Sequence, residues 1–181
     1  TLKGKRRLQE ADVLVFDRLV NQELFQHLKS DCEKIDVGKK PGQPCIRQEE
    51  IEKILIEKAR QGKRVVRLKS GDPYIFGRGG EEGVKLVEAG VDFEVVPGIT
   101  SAVAGLTYAG IPMTYRDVAT SFHVFTAHLK DETEMLNWEA ISKLKGTLVF
   151  LMGMKNLPTI VQELTARGLS LIHISEPTRP Y

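Results

Sequence analysis

Cysteine and net charge are both scarce in this sequence, and each scarcity removes a class of explanation. Two cysteines occur in 181 residues, Cys32 and Cys45, and they form no Cys-x-x-Cys pair. Neither a disulfide framework nor a thiolate metal site is therefore indicated, and two reduced cytosolic thiols are the expectation. The four histidines, His27, His123, His128 and His173, lack the His-x-x-x-His spacing of a zinc helix, so no metal is expected. Lys and Arg total 26 against 24 Asp and Glu, a net charge of +2, which does not mark a general nucleic-acid or membrane-surface binder. No apolar run reaches the ~18 residues of a membrane span. The start, Thr1-Leu2-Lys3-Gly4-Lys5-Arg6-Arg7, is basic but lacks the apolar stretch of a signal peptide, so a cytoplasmic protein is expected. Also missing are Gly-x-Gly-x-x-Gly and Gly-Lys-Ser/Thr, and with them the dinucleotide fingerprint and the P-loop.

What is present is an alternation of short β-rich runs with helical stretches, the pattern of an α/β fold. Strands are predicted at 13–16, 34–37, 64–68, 93–96, 122–125 and 147–151. Helices are predicted at 2–11, after Asn21 (with Leu24, Phe25 and Leu28 on one face), at 48–61, 80–89, 101–108 and 157–167. In the 48–61 segment Ile51, Ile54, Leu55 and Ala59 hold helical spacing, and Gly62 stands where a C′ residue belongs. The 80–89 segment carries Val84 and Val87. Pro158 falls in a first helical turn, where proline is tolerated. Residues 109–121 read as a linker, which divides the chain into an N-terminal α/β domain at 1–115 and the first part of a second at 116–169. Residues 170–181, with Pro177 and Pro180, read poorly as a strand and are taken as a non-native tail.

The residues with chemical potential gather at predicted strand ends, where open α/β sheets bind ligands. Ser70-Gly71-Asp72-Pro73 follows one strand. Gly71 permits close approach to the backbone, and Asp72 offers an acceptor for a hydroxyl or amine. Gly77, Gly79 and Gly80 precede a helix N-terminus, which favours an anion, although glycine there also serves a tight strand-to-helix connection. Pro97-Gly98-Ile99-Thr100-Ser101 follows a second strand, with Thr100 either facing a ligand or capping a helix. Met152, after a third, reads by itself as core filler. Asp17 and Lys39 at neighbouring strand ends are an acceptor and a donor for proton transfer. Arg18, Lys39, Lys40, Lys69, Arg78 and Arg116 suit a polycarboxylate if they converge on one cleft, and are a solvated surface if they do not.

Several long segments stand together in order: residues 11–20, Val37-Gly38-Lys39, 67–82, Val95 to Ser101, Ala109-Gly110-Ile111-Pro112, and Thr147 to Gly153. Together they resemble the tetrapyrrole methylase family, and within it the uroporphyrinogen-III C-methyltransferases, over residues 1–169. The resemblance implies two α/β domains holding S-adenosylmethionine, and methyl transfer to C2 and C7 of uroporphyrinogen III to give precorrin-2, on the way to sirohaem and cobalamin. It implies that Ser70, Gly71, Asp72, Ile75, Thr100, Ser101 and Met152 contact the methyl donor, that Asp17 accepts a proton and that Lys39 donates one. Arg18, Arg78 and Arg116 are the candidates for the substrate carboxylates, and a homodimer is the expected assembly. A sister precorrin methylase, the methylase part of a bifunctional sirohaem synthase, and a non-catalytic phosphate- or nucleotide-binding module are the competing readings.

Two departures from the family pattern stand out. Ser70 replaces the first glycine of Gly-Gly-Asp-Pro, and Tyr115 stands where a histidine is common. The family's first strand with its Gly-Pro-Gly-Asp-Pro loop and its final strands have no counterpart between Thr1 and Leu169. The first domain is thus expected to lack its opening strand and the second to be truncated, with weak donor binding as the consequence, since unpaired polar groups cost ~1–3 kcal/mol each.

Overall fold

A computed structural model describes residues 1–38, 46–127 and 136–170. The chain divides into two compact units, the first being Thr1–Thr100 and the second beginning at Ser101.

The first unit is built on a parallel sheet. Strands β1 (Val13–Phe16), β2 (Glu33–Asp36) and β3 (Val65–Leu68) lie in the order β2-β1-β3. Val13 pairs with Glu33 and Val65, and Phe16 with Asp36 and Leu68, so the three carboxyl ends finish level. Central β1 has Val13, Leu14 and Val15 at 1% exposure or less, as a strand covered on both faces must be. Alternation along the strand then sorts its side chains. Val13 and Val15 pack with Ile51 and Leu55 of α2 (Gln48–Arg60) and with Leu86 of α3 (Gly79–Glu88). Leu14 faces the other way, against Leu8 of α1 (Leu2–Glu10), Ala11 and Cys32. Phe25 of the short 3-10 helix Gln22–His27 closes that side with an edge-on contact to Phe16 at 4.8 Å. The Asn21 side chain caps this turn by accepting from the Glu23 amide at 2.9 Å.

The second unit holds α4 (Ser101–Tyr108), a parallel pair β4 (Phe122–Thr126) and β5 (Thr147–Leu151), α5 (Trp138–Ser142) and α6 (Leu157–Thr165). Phe125 and Phe150, paired across the strands, stack at 5.3 Å beneath Trp138, Ile141, Ile160 and Leu164. The linker expected before β4 contains a tight turn closed by reciprocal backbone hydrogen bonds between Tyr115 and Ala119, both 2.9 Å.

Two expectations fail. Residues 93–96 join no sheet among the described residues. Their neighbours are helix side chains instead of a strand: Glu94 pairs with Lys3 and Arg7, and Val96 lies 3.9 Å from the Cβ position of Gly4. Without a ladder partner, β propensity alone makes no strand. In the helix predicted at 80–89, Val84 and Val87 are 56% and 68% exposed, while α3 turns Glu82, Gly83 and Leu86 inward. Met152 is not core filler either, being 54% exposed with φ +58° just past β5.

Candidate functional site

The level carboxyl ends of β1 and β3 place the first group of candidate residues together. Asp17 follows β1 directly. Its Oδ1 accepts from the Leu19 amide at 3.2 Å, and its Oδ2 from Arg67 Nη2 at 3.4 Å. Period-two alternation puts Val13, Val15 and Asp17 on the same face as Val65, Arg67 and Lys69. That face looks toward α2 and α3, so Arg67 and Lys69 point into a layer that is otherwise apolar. They meet Glu82, 5% exposed, whose Oε1 accepts from Arg67 Nε (3.3 Å), Lys69 Nζ (3.1 Å) and Gln48 Nε2 (3.2 Å). Arg67 Nη1 also donates to the carbonyls of Leu68 (3.1 Å) and Val15 (3.4 Å). Burial pushes the Lys69 ammonium below its ordinary value, Arg67 adds to the push, and Glu82 opposes it. Two cations and two carboxylates thus stand side by side with no net charge.

The second group is a pair of interlocked loops. Gly71 takes φ +73°, a conformation that glycine adopts without cost. Ser70 is not among the residues with positive φ, so the departure from Gly-Gly-Asp-Pro places no strain on it. Asp72 Oδ2 accepts from the Gly98 amide at 3.0 Å and Oδ1 from the Tyr74 amide at 2.9 Å. These backbone donors, Gly98 first, hold the Asp72 carboxyl below its usual value. At Gly98 a Cβ would come to 1.9 Å from the Gly71 carbonyl oxygen, so only glycine fits. Thr100 Cα lies 3.8 Å from the Cβ position of Gly71. Ser70, Gly71, Asp72 and Thr100 are thereby brought to one place, and Ile75, 45% exposed, belongs to the same loop. The glycines before α3 have a steric reason: a Cβ at Gly77 or Gly79 would approach the Pro73 carbonyl oxygen to 2.7 or 2.5 Å. The first turn of α3 already carries Glu81 and Glu82, which supply the negative charge an anion would have brought.

The remaining candidates differ in the unit and the partners each has. Ser101, Arg116 and Met152 belong to the second unit and are all exposed. Arg18 is exposed beside Asp17. Arg78 is held by Glu81, with Nη2 to Oε2 at 2.6 Å, which raises its already high pKa. Lys69 is bound to Glu82, so it is no free surface cation. Lys39, with Lys40, lies outside the described residues. Among the described residues no three His, Cys, Asp or Glu side chains are grouped to hold a metal, and no helix is long and apolar enough to cross a membrane. Sequence reasoning missed Arg67 and Glu82. The signal was available for Arg67: a charge inside Val65-Val66-Arg67-Leu68, on the face of Val65, needs a buried partner.

Comparison with known proteins identifies relatives along nearly the whole chain. The family model for tetrapyrrole (corrin/porphyrin) methylases matches residues 1–176. A sirohaem synthase of Escherichia coli is 50% identical over 169 residues, 93% of this chain and 37% of that protein. The chain therefore spans little more than a third of the curated relatives it matches. A uroporphyrin-III C-methyltransferase from Thermus thermophilus, crystallised with S-adenosylhomocysteine, superposes with a TM-score of 0.74 at 38% identity, covering 94% of this chain and 71% of that one. A cobalt precorrin-4 methyltransferase of cobalamin biosynthesis superposes at 0.80 with 29% identity, covering 94% and 70%. A mixed α/β fold with parallel sheets and a match along nearly the whole chain have one explanation in common: the chain belongs to the tetrapyrrole methylase family.

Proposed function

We propose that this chain carries out C-methylation of uroporphyrinogen III at C2 and C7, giving precorrin-2, with S-adenosylmethionine as donor and as part of a homodimer. The observation that carries the reading is the lock between Asp72 and Gly98 in the loop that follows parallel strand β3. It occurs in a chain 38% identical to a uroporphyrin-III methyltransferase that binds S-adenosylhomocysteine.

The residues present fit such a donor. The backbone at Gly71 is exposed and bare of side chain, and Asp72 is fixed with lone pairs to spare. Ser70, Gly71, Asp72, Ile75, Thr100, Ser101 and Met152 are the proposed donor contacts. S-adenosylmethionine supplies a methyl group on a positively charged sulfonium. As the new carbon–carbon bond forms and the carbon–sulfur bond breaks, the tetrapyrrole must give up a proton. Asp17, held at a strand end and 30% exposed, is the acceptor. Lys39 is the proposed proton donor. Arg18, Arg78 and Arg116 are the proposed partners of the ring's carboxylates, and Arg78 must exchange Glu81 for one of them.

The test is calorimetry and turnover on the full gene product that contains this chain. S-adenosylhomocysteine is expected to bind and ATP is not; preference for ATP overturns the reading in favour of a nucleotide-binding module. Asp17→Asn is expected to lower kcat by about 10²–10⁴, with S-adenosylhomocysteine affinity within twofold of the parent. Unchanged turnover removes Asp17 from the role. The 50% identity to a sirohaem synthase favours one further reading, the methylase portion of such a bifunctional enzyme. Mass analysis of the product from uroporphyrinogen III separates this activity, with two methyl additions, from that of a precorrin methylase, with none on this substrate.

A further inference from the structure

The geometry points to Glu82 as a positioning residue that aims Asp17 through Arg67; the inference deepens the proposed methyl transfer and rests on Asp17 being its proton acceptor. Arg67 presents one planar guanidinium to four acceptors. Nε meets Glu82, Nη1 meets the Leu68 and Val15 carbonyls, and Nη2 meets Asp17. The backbone contacts fix where the group sits, and Glu82 fixes which edge remains for Asp17. The Glu82, Lys69 and Arg67 side chains are only 6%, 10% and 13% exposed, so water does not substitute for any of them.

Stability gives little reason for this cluster. Buried ion pairs are often no better than well-packed apolar residues of the same volume. The face around them is filled by Val13, Val15, Val65, Ile51, Leu55 and Leu86, so an apolar solution was at hand. What the charges add is a connection from inside the helix layer to the strand end. Lys69 makes Glu82 necessary. It projects from the same face as Arg67, and Asp17 lies near enough to exert an electrostatic pull on it. Glu82 takes up Lys69 at 3.1 Å, and Asp17 takes the Arg67 Nη2 edge at 3.4 Å alongside the Leu19 amide. Were Glu82 neutral, Arg67 and Lys69 would share one carboxylate, and Asp17 would turn from the ring toward the protein.

The experiment compares Glu82→Gln with the parent in the full gene product. The side chain keeps its shape and an acceptor oxygen and loses its charge. Expected are a fall in kcat of at least tenfold, S-adenosylhomocysteine affinity within twofold, and a folded protein by circular dichroism. Unchanged kcat overturns the inference, and so does a parallel loss of kcat and affinity, which marks a merely structural role. Arg67→Lys is the second variant. It preserves the neutrality of the cluster but cannot reach Glu82 and Asp17 together, and the same split is expected of it. Crystal structures of both variants read the aim of Asp17 without reference to activity. The Asp17 carboxylate is expected to shift from its parent position, and an unmoved carboxylate overturns the inference. If the parent neither binds S-adenosylhomocysteine nor transfers methyl, the proposed function falls while these structures still decide the positioning.

Discussion

Asp72 shows how one side chain serves both the fold and the site. Its two oxygens take the amides of Tyr74 and Gly98, tying residues far apart in sequence. Those donors favour the ionised form and depress the folded-state pKa below the usual 3.8. The sign follows from linkage: a carboxyl depressed by folding contributes stability above its unfolded pKa and loses it as pH falls through the folded value. Asp72→Asn is therefore expected to be less stable than the parent at neutral pH. The gap should close as pH falls below the ordinary carboxylate range, as read by urea denaturation at a series of pH values. A gap constant with pH would mean that the charge on Asp72 contributes nothing. Met152 stands at the same scale as a strained residue: a long side chain at φ +58°, where a non-glycine residue costs on the order of 1 kcal/mol or more, marks a position held for a purpose other than packing.

Among the elements, the connections after β1 and β3 decide where chemistry is placed. The 70–73 and 97–100 loops touch through backbone and through the Asp72 carboxylate, and Gly98 is the point of closest approach. Gly98→Ala drives a methyl group into the Gly71 carbonyl and is expected to weaken S-adenosylhomocysteine binding at least tenfold and to lower the melting temperature. The same exchange at Gly105, inside α4 with open space around it, is expected to stabilise by ~0.5–1 kcal/mol. Calorimetry and thermal melts on the two variants check the contrast, and equal effects would contradict it. Helix α3 illustrates a division of labour. Its inward face holds Glu82 and Leu86, while Val84 and Val87 stand in solvent, an apolar outer face on a helix whose inner face carries a buried charge.

At the scale of the molecule each unit has its own core. In the first, β1 is the axis, with an apolar layer on either face. Leu14 is fully buried, and Leu14→Ala is expected to destabilise by ~2–5 kcal/mol in urea followed by circular dichroism; a cost below about 1 kcal/mol would mean that the α1 face is not a packed layer. In the second, Trp138 stands over Phe150 at 5.8 Å, and as the single tryptophan it reports that core by fluorescence.

The sequence by itself determined the alternation of elements and which loops are proposed to bind a ligand. Strands at 13–16, 65–68 and 147–151 were legible because buried parallel strands are continuous β-branched and aliphatic runs. Helix stops at Gly62, Gly90 and Gly168 were legible because a left-handed residue favours glycine. The motif order carried the family. Tertiary structure alone decided the rest. Whether 93–96 becomes a strand depends on a hydrogen-bonding neighbour, which no local preference supplies. Short α5 was not predicted, since five residues carry too little periodicity to read. Which charges are free also depends on partners distant in sequence: Lys69 and Arg78 read as cations awaiting a substrate, but Glu82 and Glu81 already hold them. Arg67 and Glu82 meet because sheet alternation and helix rotation aim two side chains at one buried point, and Coulomb attraction there holds the guanidinium that Asp17 faces.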